Sequence, residues 1–265
     1  MPDPRLDAAL VERGLARSRT AAARLIADGL VTVDGRPVVK PAARVKADDV
    51  VEVAGADSYV SRAAHKLIAA LDGFSVPVTG RLALDAGAST GGFTQVLLER
   101  GARRVLAVDV GHGQLVPELA NDPRVAPYEG INVRELSAAA LAKLTGSDER
   151  PGLVVVDLSF ISLRHVLAAL RDTAEESADF VVLIKPQFEV GRQGVREGIV
   201  TDPGLRADAV AGALWSAWDV GLGTAGLLPS PIAGTAGNRE YLAHLSSSST
   251  NPTQWESRIP AMTGV

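Results

Sequence analysis

Residues 81–101 read "RLALDAGASTGGFTQVLLERG". From Leu82 to Ala86 the run is almost wholly apolar, as a strand buried on both faces requires. A glycine-rich turn follows, and "TGGFTQVLLERG" then has helical composition. Strand, tight turn and helix in that order form the nucleotide site of an open α/β sheet. Outward from it, "RRVLAVDVG", "GLVVVDLSF" and "ADFVVLIKP" are further aliphatic strands, and "SLRHVLAALRDTAE" is an amphipathic helix. The alternation predicts an α/β fold with a mostly parallel sheet covered on both faces.

The turn narrows the choice of nucleotide. A dinucleotide fingerprint needs glycines at three positions, which here are Gly87, Ser89 and Gly92. Without the central glycine a pyrophosphate loses its close approach to the backbone. No G-K-[ST] follows, which excludes a Walker loop. Asp85 ends the first strand, and Asp109 ends the second 24 residues later. That is near the ~20-residue spacing at which an acid meets ribose hydroxyls. The segment resembles motif I of Rossmann-like S-adenosylmethionine (SAM) methyltransferases, whose cationic cofactor suits acidic neighbours. The resemblance implies a SAM site built from Asp85, Gly87, Ser89, Thr90, Gly91, Gly92, Phe93, Asp109, Val110 and Asp157.

Composition removes several alternatives. The 265 residues are 46% hydrophobic and 22% charged, in the range of globular domains. The absence of cysteine excludes disulfides, thiolate metal sites and thiolate nucleophiles. His65, His112, His165 and His244 lack metal-ligand spacing. With no apolar signal-like run at the start and no stretch of ~18 apolar residues, a cytoplasmic location is expected.

The net charge of −4 is uneven: residues 1–46 hold nine arginines and lysines against five acids, a local balance of +4. In this basic head, "RLDAALVERGLA" and "SRTAAARLIADGLV" have helical periodicity, with Gly14 and Gly29 as stops and Ser18 as a cap. "LVTVDGRPV" alternates around Asp34-Gly35, a hairpin signal, and "DVVEV" supplies another strand. The module resembles the S-four-type (S4, or α-L) RNA-binding domain. Carried over by position, Arg5, Arg17, Arg19, Arg24 and Lys40 are the implied RNA contacts.

"VLIKPQFE" at 182–189 puts a lysine where a core strand ends, the place where open α/β sheets hold ligands. A lysine in a partly desolvated site can accept or share a proton from an alcohol. "VVVDLSF" lacks the prolines of an exocyclic-amine methyltransferase motif, so a hydroxyl acceptor is attractive. Together "SRAAHKL", "VVVDLSF", "LIKPQFE" and "GNREYL" resemble the Lys-Asp-Lys-Glu tetrad of FtsJ/RrmJ-like ribose 2′-O-methyltransferases, which maps to Lys66, Asp157, Lys185 and Glu240. With the S-four-type head, the chain resembles the TlyA (haemolysin-A-like) family of rRNA methyltransferases. That implies methylation of cytidine 2′-hydroxyls in rRNA within ribosomal subunits, with Lys185 as base or hydroxyl-orienting group. It implies no metal and no membrane partner. The alternatives are another RNA, a small-molecule acceptor, or a membrane-active haemolysin.

The expected division is an RNA-binding domain at 1–54, a linker at 55–60, a methyltransferase domain at 61–245 and a tail at 246–265. A helix capped by Ser61 is expected to open the second domain. Phe93 and Phe160 have two readings, lining the site or packing in the core, and core packing is the one expected.

Overall fold

The computed structural model describes residues 3–16, 18–27, 29–53, 59–191, 194–234 and 237–265. Two compact units emerge, residues 1–58 and 59–265. Five residues of the first unit, 54–58, lie outside the description, and with them most of the expected linker.

In the first unit α1 (Leu6–Glu12) and α2 (Arg19–Ala27) precede β1 (Val31–Val33), β2 (Arg36–Pro37) and β3 (Val51–Val53). The sheet order β2-β1-β3 is antiparallel throughout. Asp34 and Gly35, at φ +50° and +73°, make the primed two-residue turn that suits the twist of a hairpin. Ser18 Oγ accepts the Ala21 N–H at the start of α2. Leu6, Leu10, Ala22, Ile26, Val31 and Val53 close a small core.

The second unit opens with α3 (Ala64–Phe74), β4 (Leu82–Ala86), α4 (Gly92–Glu99) and β5 (Arg104–Asp109). It continues through α5 (Pro117–Ala120), β6 (Val125–Glu129), α6 (Ala138–Thr145), β7 (Leu153–Val156), α7 (Leu167–Thr173) and β8 (Asp179–Ile184). Then come α8 (Pro186–Glu189), α9 (Pro203–Trp218), β9 (Gly223–Pro229), β10 (Tyr241–Ser246), α10 (Thr253–Glu256) and α11 (Ile259–Thr263). The seven strands lie in the order β6-β5-β4-β7-β8-β10-β9. β4 to β8 pair in parallel, while β10 is antiparallel to both β8 and β9.

Alternate residues of the central strands feed two core layers. Leu84, Val154, Val182 and Ile184 pack on one face; Ala83, Val155, Val181 and Leu183 pack on the other. This is why the strands read as unbroken aliphatic runs. Strand order reverses between β4 and β7, and that reversal opens a ligand crevice at their carboxyl ends.

Three expectations need correction. Residues 246–265 are no loose tail. Trp255 and Ile259 are buried in the main core, and the Trp255 indole donates to Thr224 O at 3.2 Å. Arg206, itself buried, donates to the carbonyls of Thr263, Val200 and Thr201 and so ties the last helix to the start of α9. The helix after the linker begins at Ala64, not at Ser61: Ser61 Oγ accepts the Ala63 N–H, which lies before the helix. Phe160 is 91% exposed, because its left-handed backbone (φ +66°) turns it out of the core. No described helix is long and apolar enough to cross a membrane.

Candidate active site

The crevice floor comes from the turn after β4. Gly87 has φ +91°, and a Cβ there would stand 2.5 Å from Asp157 O. The first turn therefore runs against the end of β7 at a distance only glycine permits. Ser89, where a dinucleotide site would have glycine, also adopts left-handed backbone at φ +47°. Its N–H donates to Asp109 Oδ2 at 2.8 Å, while Gly111 N–H donates to Asp109 Oδ1 at 2.7 Å. Asp109 thus fastens the ends of β4 and β5 together, and each of its oxygens keeps a further lone pair.

Asp85 lies beneath this turn and is fully buried. Its Oδ2 accepts the Thr94 hydroxyl at 2.6 Å, while Oδ1 has no hydrogen-bond partner among the described residues. Burial pushes the carboxyl up to about 7; the Thr94 bonds oppose this, and the charges of Asp157 and Asp109 add to it. Such a carboxyl suits a cationic group brought to its bare oxygen.

The remaining turn residues divide. Thr90 is half-buried and Val110 is 70% exposed at the rim. Gly91 and Gly92 let elements approach: their Cβ atoms would meet Leu119 Cδ1 at 2.3 Å and Ser61 Cβ at 2.9 Å. Phe93 is buried among Val96, Leu97 and Ala64 in the core layer, so its ring is committed to packing.

Four strand and helix positions carry the charged set. Lys185 follows β8 and Asp157 follows β7, its parallel neighbour. Tyr241 pairs with Ile184, so Glu240 and Lys185 come at the same end of adjacent strands. The Lys185 ammonium is 2.6 Å from Asp157 Oδ1 and donates to Ser159 Oγ at 3.0 Å. The contact with Asp157 is an ion pair out of hydrogen-bond alignment. Lys66 donates to Glu240 Oε2 at 2.6 Å, with side chains 9% and 2% exposed. Gly234 leaves room for that carboxylate, since a Cβ there would meet Glu240 Oε1 at 2.0 Å. Two buried lysines each sit against a carboxylate, which fixes both side chains in place.

Sequence reasoning missed Ser159 and Phe188, and it favoured core packing over a site-lining role for Phe160. Phe160 and Phe188 rings lie 5.3 Å apart, and the Lys185 ammonium is 6.0 Å from the Phe188 ring. "DLSF" and "KPQF" each carried a Phe three residues beyond a tetrad member, but only the fold brings those turns together.

In the first unit Arg5, Arg19, Arg24 and Lys40 are all exposed, and Arg17 lies outside the described residues. Arg5 and Arg19 both pair with the buried Asp7, at 3.0 and 3.2 Å. The Arg5 bonds, with help from Arg19 and against burial, hold Asp7 down to about 2.

Comparison with known proteins agrees with this geometry. Residues 59–247 match the FtsJ-like methyltransferase model and residues 4–51 the S4 domain model. The chain is 50% identical to the 16S/23S rRNA (cytidine-2′-O)-methyltransferase TlyA of Mycobacterium tuberculosis, over 91% of this chain and 89% of that one. It is 40% identical to hemolysin A of Brachyspira hyodysenteriae, over 91% of this chain and 98% of that one. A solved Streptococcus thermophilus structure that carries a hemolysin name superposes with a TM-score of 0.77 at 36% identity, covering 100% of this chain and 95% of that one. The FtsJ-like match over residues 59–247, behind an N-terminal S4 domain and over a seven-stranded, mostly parallel sheet, makes this chain a member of the FtsJ-like methyltransferase family.

Proposed function

We propose that the protein methylates cytidine 2′-hydroxyls of rRNA within ribosomal subunits, using SAM, in the cytoplasm. The observation that carries this reading is the Lys185 ammonium, buried at a strand end between Asp157 and Ser159 and next to the Lys66–Glu240 pair. An alcohol needs a partner for its proton as its oxygen becomes a nucleophile. Lys185 would supply one as the free amine, taking up that proton as the oxygen–methyl bond forms, and Asp157 would hold the resulting ammonium in place.

The cofactor fits the crevice on two observations: the bare, buried Asp85 Oδ1 suits a cation, and Asp109, fastened by the Ser89 and Gly111 N–H groups, keeps lone pairs for hydroxyl donors. Asp85, Gly87, Ser89, Thr90, Val110 and Asp157 would hold SAM, and Asp109 would accept its ribose hydroxyls. When bound, SAM supplies a methyl group activated by a sulfonium. Gly91, Gly92 and Phe93 support this site by packing.

Lys185 would orient the attacking 2′-oxygen and share its proton, while Lys66 and Glu240 fix the ribose. Alignment of oxygen and methyl supplies much of the rate. The Phe160 ring, exposed beside the half-buried Phe188, offers a face on which a base can stack. Arg5, Arg17, Arg19, Arg24 and Lys40 would hold the RNA backbone.

The test is methyl transfer from labelled SAM to subunits lacking the modification, comparing wild type with Lys185→Ala. The expected label lies at a ribose that resists alkaline cleavage, and the variant loses it. Label on a base, or on no RNA, would refute the reading.

A further inference from the structure

Glu189 ends α8, four residues beyond Lys185, and the chemistry above does not use it. Its Oε2 accepts the Ser162 hydroxyl at 2.5 Å, and its Oε1 accepts the Leu163 N–H at 2.9 Å. Ser162 and Leu163 are buried. Burial raises the carboxyl pKa, while these two bonds and the nearby Arg164 and His165 favour the ionised form.

Both partners belong to the segment that follows Asp157. Residues 157–162 leave β7, bring Asp157 and Ser159 to Lys185, and pass through Phe160 at φ +66°. Left-handed backbone at a residue with a Cβ is strained, and it persists only where the surroundings over-determine it. The Phe160–Phe188 contact is one restraint. Glu189 is another, gripping the chain just after the strained residue by one side-chain and one main-chain donor.

The turn bearing Lys185 and the segment bearing Asp157 are therefore tied at both ends. Lys185 itself makes the inner tie and Glu189 the outer one. We infer that Glu189 is a positioning residue for methyl transfer, clamping the 157–162 segment so that Asp157 and Ser159 stay against the Lys185 ammonium. This rests on the reading of Lys185 as the group that handles the acceptor hydroxyl.

The experiment uses the full chain with Glu189→Ala, Ser162→Ala and the two combined. Single-turnover transfer to unmodified ribosomal subunits is measured beside SAM affinity, subunit affinity and thermal unfolding. A misplacement of ~1 Å costs up to ~100-fold in rate, so Glu189→Ala, which removes both ties, is expected to slow transfer at least about tenfold. Both affinities should stay within about twofold, because neither ligand touches the clamp. Ser162→Ala should slow transfer less, and the combined variant no more than Glu189→Ala, since the Ser162 contact is already lost there.

Unchanged rates, or losses that follow SAM release or unfolding, would overturn the inference and leave Glu189 a fold contact. Should Glu189→Ala not fold, Ser162→Ala carries the same test with one hydroxyl removed. Lys185→Ala is run in parallel. Full activity in it sinks the reading of Lys185, whereas an inactive Lys185→Ala beside fully active Glu189 and Ser162 variants sinks the clamp alone.

Discussion

Asp85→Asn offers a test in which the surroundings of one carboxyl fix the sign of a pH effect. Burial raises the Asp85 pKa from its ordinary 3.8 to about 7, with Thr94 opposing and Asp157 and Asp109 adding to the rise. Below 3.8 the group is protonated whether the chain is folded or unfolded, and it contributes no pH dependence. Between 3.8 and about 7 the unfolded chain has lost the proton and the folded chain has kept it. Stability therefore falls by about 1.4 kcal/mol per pH unit over that window. Above about 7 both forms are ionised, and the whole penalty, on the order of 4 kcal/mol, is present.

Asparagine cannot ionise, so the variant escapes the penalty. Its stability relative to wild type should rise by roughly 3 kcal/mol between pH 5 and pH 8, most of it before pH 7. Urea unfolding followed by tryptophan fluorescence measures this in the right unit, because Trp215, Trp218 and Trp255 all lie beyond residue 58. A stability difference that stays flat from pH 5 to pH 8, or that falls, would refute the argument: the folded chain would then not hold the Asp85 proton over that window. The same reasoning reaches the cofactor. A cation brought to Oδ1 favours the carboxylate, so SAM binding to wild type near pH 6 should release about one proton. Calorimetry in buffers of different ionisation enthalpy reads that proton, and Asp85→Asn should abolish it.

Lys66→Met leaves the buried Glu240 carboxylate without its cation and should cost about 3–5 kcal/mol in urea unfolding. Adding Glu240→Gln should restore part of that loss. Gly87→Ala places a methyl 2.5 Å from Asp157 O on a backbone at φ +91°; SAM affinity by calorimetry should drop at least about tenfold as the turn shifts. Arg206→Ala removes four hydrogen bonds to carbonyls of the 200–201 segment and the C-terminal helix. Limited trypsin digestion should then cut at Arg258 well before wild type is cut there, with the rest of the unit intact.

Local signals carried the fold a long way. Asp34-Gly35 specified a hairpin because a primed turn demands left-handed backbone at both residues, and Asp and Gly supply it. The β4 turn was legible for a related reason, since its glycines are needed where the chain meets Leu119, Ser61 and Asp157. The C-terminal helices were missed because they are only four and five residues long, too short for a period to register. Trp255, Ile259 and Met262 nevertheless fall four and three apart, which was the available signal. Phe160 misled because an aromatic next to an aliphatic strand ordinarily packs inward, and no residue type announces a positive φ at phenylalanine.

The charged set shows where such reading stops. Positions 66, 157, 185 and 240 have no common period, so resemblance to a family was the only route from the sequence to their grouping. What joins them is sheet order. β7 and β8 run in parallel and β10 returns against β8, so three chain segments deliver Asp157, Lys185 and Glu240 to one end of adjacent strands. Burial then does the pairing, since polar groups taken out of water need a partner within reach, and each lysine finds a carboxylate. Glu189 completes the pattern one layer out. A buried ion pair on a strained segment is only as well aligned as the contacts that hold the segment, and at residues 157–162 two of those contacts end on one carboxylate.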